Sequence, residues 1–218
     1  MSDRNEFGMA SMPSVSLNPV LLIHGLDDTS AKFHRLQPYL RDRGWSVHAT
    51  DLRPNDGSVG LETLAHQVCT YIDRTFDAAQ PVDIVGYSMG GIVSRYYIQQ
   101  LGGIHRVQRL VTVASPHYGT LAAYLRPNIG ARQMRQGSPF LTALNQNLLQ
   151  LQQIRLTSIW TPLDLIVVPA ESSCLPVGRQ VQVPVAMHHW MVEDPAALWA
   201  IVGALREPLR KPAQVSPT

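Results

Sequence analysis

The chain has 218 residues, enough for one sizeable core and short for two. Its 18 Lys and Arg stand against 16 Asp and Glu, a formal charge of +2, and the arginines are scattered, so no basic stripe interleaved with aromatics marks a nucleic-acid partner. No apolar run approaches the roughly 18 residues of a membrane-spanning helix, so no transmembrane segment is expected.

Residues 1–17 open with the polar stretch MSDRNEFGMASM, which lacks the apolar core of a signal peptide and reads as a disordered leader or a cloning remnant. Taken as it stands, this start points to the cytoplasm. If a native leader has been removed, secretion stays open. Residues 18–209 are expected to make one domain. PVLLIHGL (19–26) reads as a buried strand. AKFHRLQPYLRDRG (31–44) has apolar residues at helical spacing and stops on Gly44. WSVHATDL (45–52) is a second strand. In 61–76, Leu61, Leu64, Ala65, Val68, Ile72 and Phe76 share one helical face. PVDIVGY (81–87) reads as a strand, MGGIVSRYYIQQL (89–101) as a helix and VQRLVTVAS (107–115) as a strand. LTSIWTP (156–162) and QVQVPV (180–185) add two strands, and DPAALWAIVGAL (194–205) closes with a helix. The Pro-rich tail 210–218 is expected to be flexible. Cys69 falls on the apolar side of its predicted helix, so Cys69 and Cys174 are expected as two buried thiols.

Strands alternating with helices predict an α/β fold, a mostly parallel sheet of about six strands with helices on both faces. Such sheets place their sites beyond the carboxyl ends of the strands. The alternation breaks over 118–153, where Ser138 and Pro139 mark a helix start. An insertion of this length in a compact fold is expected to be a lid or cap.

The sequence Gly86-Tyr87-Ser88-Met89-Gly90 lies where a strand ends and a helix begins, the setting of a nucleophile elbow. Gly86 and Gly90 leave room for the strained turn that lifts Ser88 out of the sheet. A nucleophilic serine needs a base and an orienting acid, which follow it in the order acid, then histidine. Asp164, just past a predicted strand, is the favoured acid and Glu171 the runner-up. Glu193 and Asp194 suit the start of the last helix instead. The base is His188 or His189, with His188 favoured by the acid and proline that follow it in HHWMVEDP. His105 and His117 read as structural. Met89, after the nucleophile, and Leu26, in the turn His24-Gly25-Leu26 after the first strand, are the expected oxyanion donors, with His24 positioning that turn. No cluster of zinc-ligand spacing and no phosphate-binding glycine loop is present, so no cofactor is expected.

The segments PVLLIHGL, VDIVGYSMGGIVSRYYIQQLGG, VQRLVTVASPHYGT, TSIWTPLDLIVVP and HHWMVEDP resemble the bacterial α/β-hydrolase lipases, the compact triacylglycerol lipase and esterase family. The resemblance runs from Asn18 to about Leu205. It implies an α/β-hydrolase fold and a carboxylic-ester hydrolase with Ser88, Asp164 and His188 as triad and Leu26 and Met89 at the oxyanion. GARQMRQGSPFLTALN resembles the lid region of these lipases, with Leu125, Phe140 and Leu144 as candidates to face substrate. An apolar lid suits a fatty-acyl ester, from a lipid or a small ester substrate, with transient contact with a lipid interface left open. A short-chain esterase, or an acyltransferase or thioesterase on the same fold, would share the triad.

Overall fold

Six strands, β1 (Val20–Ile23), β2 (Val47–Thr50), β3 (Val82–Tyr87), β4 (Val107–Val113), β5 (Arg155–Trp160) and β6 (Arg179–Gln182), form one sheet in the order β2-β1-β3-β4-β5-β6. Every neighbouring pair is parallel. The structure, a computed structural model, describes residues 17–209; the expectations for 1–16 and for the tail 210–218 lie outside the described residues. Alternate side chains of a strand point to opposite faces. Val20 and Leu22 of β1 therefore enter one core, and Leu21 and Ile23 the other. A strand buried on both sides needs an unbroken apolar run, and that is what β1 has.

Helices α2 (Leu61–Thr75) and α3 (Met89–Gln100) cover one face, burying Leu64, Val68 and Ile72 against Ile92 and Val93. Helices α1 (Leu36–Arg41) and α6 (Pro195–Leu205) cover the other with Leu36, Leu40, Ile201 and Leu205. The helix expected over 31–44 is split. Residues Ser30–Phe33 make a 3-10 turn and α1 starts only at Leu36. A continuous helix would bring Pro38 into its interior, without an N–H and against the carbonyl four residues back; starting at Leu36 puts Pro38 in the first turn instead. The two cysteines are unpaired and half-buried, not fully buried as expected, and Cys69 Sγ meets Asp73 Oδ2 at 3.6 Å.

From β1 the chain steps outward to β2, then returns to the other side of β1 with β3 and continues through β4 to β6. The direction reverses between β1 and β3. The loops leaving their carboxyl ends part there and open a crevice. At the opposite end of the sheet Asp83 is fully buried in an ion pair with Arg109 (2.9 Å) and accepts from Asn18 Nδ2. Arg109 also donates twice to the carbonyl of Glu207, which fastens the chain after α6.

The insertion 118–153 contains a 3-10 turn (Leu121–Leu125), α4 (Ile129–Gln133), α5 (Pro139–Gln146) and a second 3-10 turn (Leu148–Gln153). Ser138 caps α5 by accepting from the N–H of Leu141, with Pro139 in the first turn, as the sequence predicts. One buried network joins α5 to α3. Arg95 of α3 is fully buried and forms no ion pair among the described residues. It donates to Gln99, to the Leu144 carbonyl, to Asn145 Oδ1 and to His117 Nδ1 (3.3 Å). A guanidinium can only donate, so His117 Nδ1 is the acceptor and its Nε2–H donates to Thr112 Oγ1 at 3.0 Å.

Burial, and then the neighbouring Arg95 charge, hold the pKa of His117 well below its ordinary value. The folded chain thus leaves His117 unprotonated at pH values where the unfolded chain protonates it. Stability is expected to fall as pH drops below about 6.5, by about 1.4 kcal/mol per pH unit from this group until the folded pKa is reached. Urea unfolding between pH 7.5 and 5.5 tests it. His117→Gln, which can still accept from Arg95 and donate to Thr112, should show a shallower acid slope than the wild type.

Candidate active site

Ser88 follows β3 and opens α3 with φ +53° and ψ −123°, a conformation that costs an ordinary residue about 1–3 kcal/mol. Its N–H donates to the Val113 carbonyl at 2.8 Å, and its own carbonyl accepts from Gly91. The flanking glycines are sterically required. A methyl group on Gly90 would sit 2.2 Å from the Ile23 carbonyl oxygen, and one on Gly86 would sit 2.6 Å from Gly91 Cα. Both obstacles are backbone, so neither can swing aside. On Gly25 it would lie 3.0 Å from Ser88 Cβ, which puts the turn after β1 directly against the serine.

The Ser88 hydroxyl lies 3.1 Å from His188 Nε2, and His188 Nδ1 lies 2.7 Å from Asp164 Oδ2. The other Asp164 oxygen accepts from the N–H groups of Ile166 and Val167, both at 2.9 Å. That leaves the carboxylate one open direction, toward the imidazole. With Nδ1–H donating to Asp164, Nε2 of the neutral ring is the acceptor for the serine proton. Asp164 and His188 are both buried. Of the other candidates, Glu171 is exposed, and His189 is exposed with its ring edge-on to Trp190. His105 is exposed on a 3-10 turn, and His117 belongs to the Arg95 network. Glu193 does not start α6: Asp194 caps that helix, accepting from Ala196 N–H.

Neither the N–H of Leu26 nor that of Met89 finds a hydrogen-bond partner among the described residues. Met89 is the first residue of α3, where the N–H groups and the helix dipole favour negative charge. His24 holds the other side: its Nε2 accepts from Leu52 N–H and its Nδ1–H donates to the Gly25 carbonyl.

A cavity of about 440 Å³ opens over Ser88. Its walls include Ala122, Ala123, Leu125 and Met134 from the insertion, and Ile166 and Val167 from the loop after β5. An ion pair from Arg126 to Asp27 joins the insertion to the turn after β1 beside it. Of the three lid residues expected to face substrate, Leu125 lines this cavity. Phe140 and Leu144 do not: Phe140 stacks on Tyr96 of α3 and Leu144 is buried in the core, because α5 packs on α3 and not over the crevice.

Three residues that no sequence motif marks hold the 3-10 turn His188–Val192. The Tyr87 hydroxyl donates to the His188 carbonyl at 3.2 Å, and its ring lies 5.1 Å from the imidazole. Lys32 Nζ donates to the His189 carbonyl at 2.6 Å and pairs with Glu193 at 2.7 Å. Burial, the largest single influence, opposes the Glu193 charge, but the bond to Lys32 and the charges of Lys32, His34 and Arg35 together hold the carboxyl below its ordinary value. Burial also raises the Tyr87 phenol, aided by the charges of Asp28, Asp164 and Glu193, so it stays a donor. Lys32→Met is expected to cost about 2 kcal/mol of stability. It is also expected to slow covalent labelling of Ser88 by a fluorophosphonate roughly tenfold or more, since Lys32 holds the turn that places His188 beside Ser88 and small misplacements of a reacting pair are costly. Thermal unfolding and labelling rates check both.

Comparison with known proteins bears on the fold. Residues 18–176 match the family model described as the alpha/beta hydrolase fold. The lysosomal thioesterase PPT2 of Homo sapiens is 31% identical over 108 residues, which are 48% of this chain and 35% of that protein. A triacylglycerol lipase of Burkholderia plantarii is 29% identical over 111 residues, 47% of this chain and 30% of the lipase. The matched part thus spans about a third of these curated relatives. Among solved structures, the mature Bacillus licheniformis lipase BlEst2 superposes with a TM-score of 0.71 at 16% identity, covering 89% of this chain and 94% of that one. With its six-stranded parallel sheet and a family match over most of its length, the chain belongs to the alpha/beta hydrolase fold family.

Proposed function

We propose that the chain is a serine carboxylic-ester hydrolase acting on fatty-acyl esters, with Ser88, His188 and Asp164 as its triad. The observation that carries the reading is the continuous hydrogen-bonded line from Asp164 through His188 to a serine held at φ +53°. Ser88 attacks the ester carbonyl as His188 Nε2 takes its proton, and Asp164 stabilises the imidazolium. The N–H groups of Leu26 and Met89 receive the developing oxyanion, each worth about 3 kcal/mol in the transition state. His188 then protonates the departing alcohol. Water, deprotonated by the same nitrogen, cleaves the acyl-enzyme and releases the acid. No step calls on a metal or an organic cofactor.

The acyl side is read from the walls. Ala122, Ala123, Met134, Ile166 and Val167 present apolar surface of the size that small-ligand pockets have. The part of the insertion that lines the cavity, from Thr120 to Met134, acts as the cap over the acyl chain. Leu121, Leu125, Leu165 and Ile166 are exposed around it, which suits contact with a lipid interface. The similarity to PPT2, described as a thioesterase, supports a second reading in which sulfur replaces oxygen as the leaving atom.

A fluorophosphonate probe is expected to label the wild type and not Ser88→Ala. Hydrolysis of p-nitrophenyl laurate should fall at least roughly 10⁴-fold in that variant. Turnover of the butyrate ester with none of the laurate would replace the fatty-acyl reading by a short-chain esterase. Faster turnover of lauroyl thioester than of the matched oxygen ester would favour the thioesterase.

A further inference from the structure

The walls of the cavity differ in chemistry. The insertion and the loop after β5 supply mostly apolar side chains, with Thr120 and Arg126 the polar exceptions, whereas the turn after β1 and the His188–His189 pair supply, besides Leu26, Asp27, Asp28 and imidazoles. Asp27 is committed to Arg126. Asp28 is not committed. Its main chain is fixed, with the N–H donating to the Gly25 carbonyl and the carbonyl accepting from Asn55 Nδ2. Its carboxylate accepts no hydrogen bond and forms no ion pair among the described residues. The charge of Lys32 acts on it, but the Lys32 ammonium is bonded to Glu193 and the His189 carbonyl. Burial accordingly raises the Asp28 carboxyl above its ordinary pKa, with Lys32, His24 and His188 only partly offsetting it.

This unpartnered acceptor is close to the nucleophile. A methyl group on Gly25 would lie 3.2 Å from Asp28 Oδ2 and 3.0 Å from Ser88 Cβ, so both flank one point. Asp28 also follows Leu26, the proposed oxyanion donor, by two residues, and it interacts electrostatically with His188, the group that hands the proton to the leaving atom. The apolar walls claim the acyl chain, and Asp28 is left facing the alcohol or thiol side. A half-buried carboxylate without a partner is unfavourable until a donor arrives.

Resting on the ester-hydrolase reading, we propose that Asp28 determines leaving-group specificity: it accepts a hydrogen bond from a donor, a hydroxyl or an ammonium N–H, carried by the alcohol or thiol portion of the substrate close to the scissile bond. The test uses four butyrate esters in two isosteric pairs. 2-Hydroxyethyl butyrate is compared with propyl butyrate, and 2-(dimethylamino)ethyl butyrate with 3-methylbutyl butyrate. In the wild type the donor-bearing ester of each pair should have the higher kcat/KM by about tenfold, with the larger ratio for the ammonium. Asp28→Ala should bring both ratios close to one. Asp28→Asn retains the shape and an acceptor oxygen but not the charge. It should keep most of the hydroxyl ratio and lose the extra advantage of the ammonium, and it decides the matter if the alanine variant does not fold. Wild-type ratios near one, or ratios that Asp28→Ala and Asp28→Asn leave unchanged, overturn the assignment while the hydrolase reading stands. If none of the four butyrates is turned over, the same ratios are read from the corresponding laurate esters, and no turnover of those either overturns both readings.

Discussion

The first turn of α3 packs so closely on the end of β1 that nothing larger than a hydrogen fits at Gly90, and the site depends on this contact. It forces the chain between β3 and α3 through φ +53° at Ser88, a conformation that must be held from outside because the residue itself resists it. The hold comes from both sides of the sheet. The Val113 carbonyl of β4 accepts the Ser88 N–H, and the Gly91 N–H returns to the Ser88 carbonyl. Gly91 is itself confined, since a methyl group there would lie 2.1 Å from Ser115 Oγ. β1, β3 and β4 therefore have to be registered before the serine is presented. The same closeness brings Gly25 against Ser88, so the turn bearing Leu26 and Asp28 reaches the serine without any long loop.

The proposed triad needs the histidine held in place as well as the serine. His188 lies on a short 3-10 turn, an element with little stability of its own. Asp164 fixes the ring from one side, and its second oxygen is occupied by two backbone N–H groups, so it does not rotate away. Tyr87 and Lys32 fix the backbone, through the carbonyls of His188 and His189 respectively. Tyr87 precedes the nucleophile by one residue. A single strand end thus supplies both the serine, on one side of the turn, and a brace for the turn that carries His188.

Much of this was legible from the sequence, for identifiable reasons. Fully buried parallel strands need uninterrupted apolar runs, and 19–23 has one, while 82–85 is broken only by Asp83, whose charge is paired with Arg109. The elbow was legible because only glycine tolerates the contacts at 86 and 90. The place of Asp164 after a strand and the chain order that left His188 and His189 pointed to side chains that the fold brings into line with Ser88. What was hidden depends on long-range pairing. Lys32 and Glu193 are 161 residues apart, and each looks in isolation like a solvated charge near a helix. Tyr87 reads only as the variable residue of the elbow motif. The split of the 31–44 helix was readable at Pro38, but apolar periodicity dominated. Phe140 and Leu144 show the limit of compositional reasoning. An apolar insertion near a site has two surfaces to cover, and composition does not say which residues take the core.

The insertion is fastened unevenly, and the contrast follows from where its bonds lie. At α5 the anchor is Arg95, fully buried and bonded to the Leu144 carbonyl and Asn145 on the insertion and to His117 after β4. A charge without a carboxylate is tolerated there because several dipoles converge on the guanidinium. Removing any of them leaves a buried donor unmet, so this end is locked to the nucleophile helix. Beside the cavity the tie is of another kind. Arg126 and Asp27 are both nearly half exposed, and exposed ion pairs contribute about 0–1 kcal/mol. Thr120 supplements it, donating to the Ile166 carbonyl and accepting from the Val168 N–H, so the 3-10 turn Leu121–Leu125 is joined to the Asp164 loop more firmly than to the turn after β1. The wall that carries the apolar side chains is thus tied to the loop that bears Asp164. The weak tie spans the border where that wall meets Asp27 and Asp28, between the proposed acyl and leaving-group sides of the cavity.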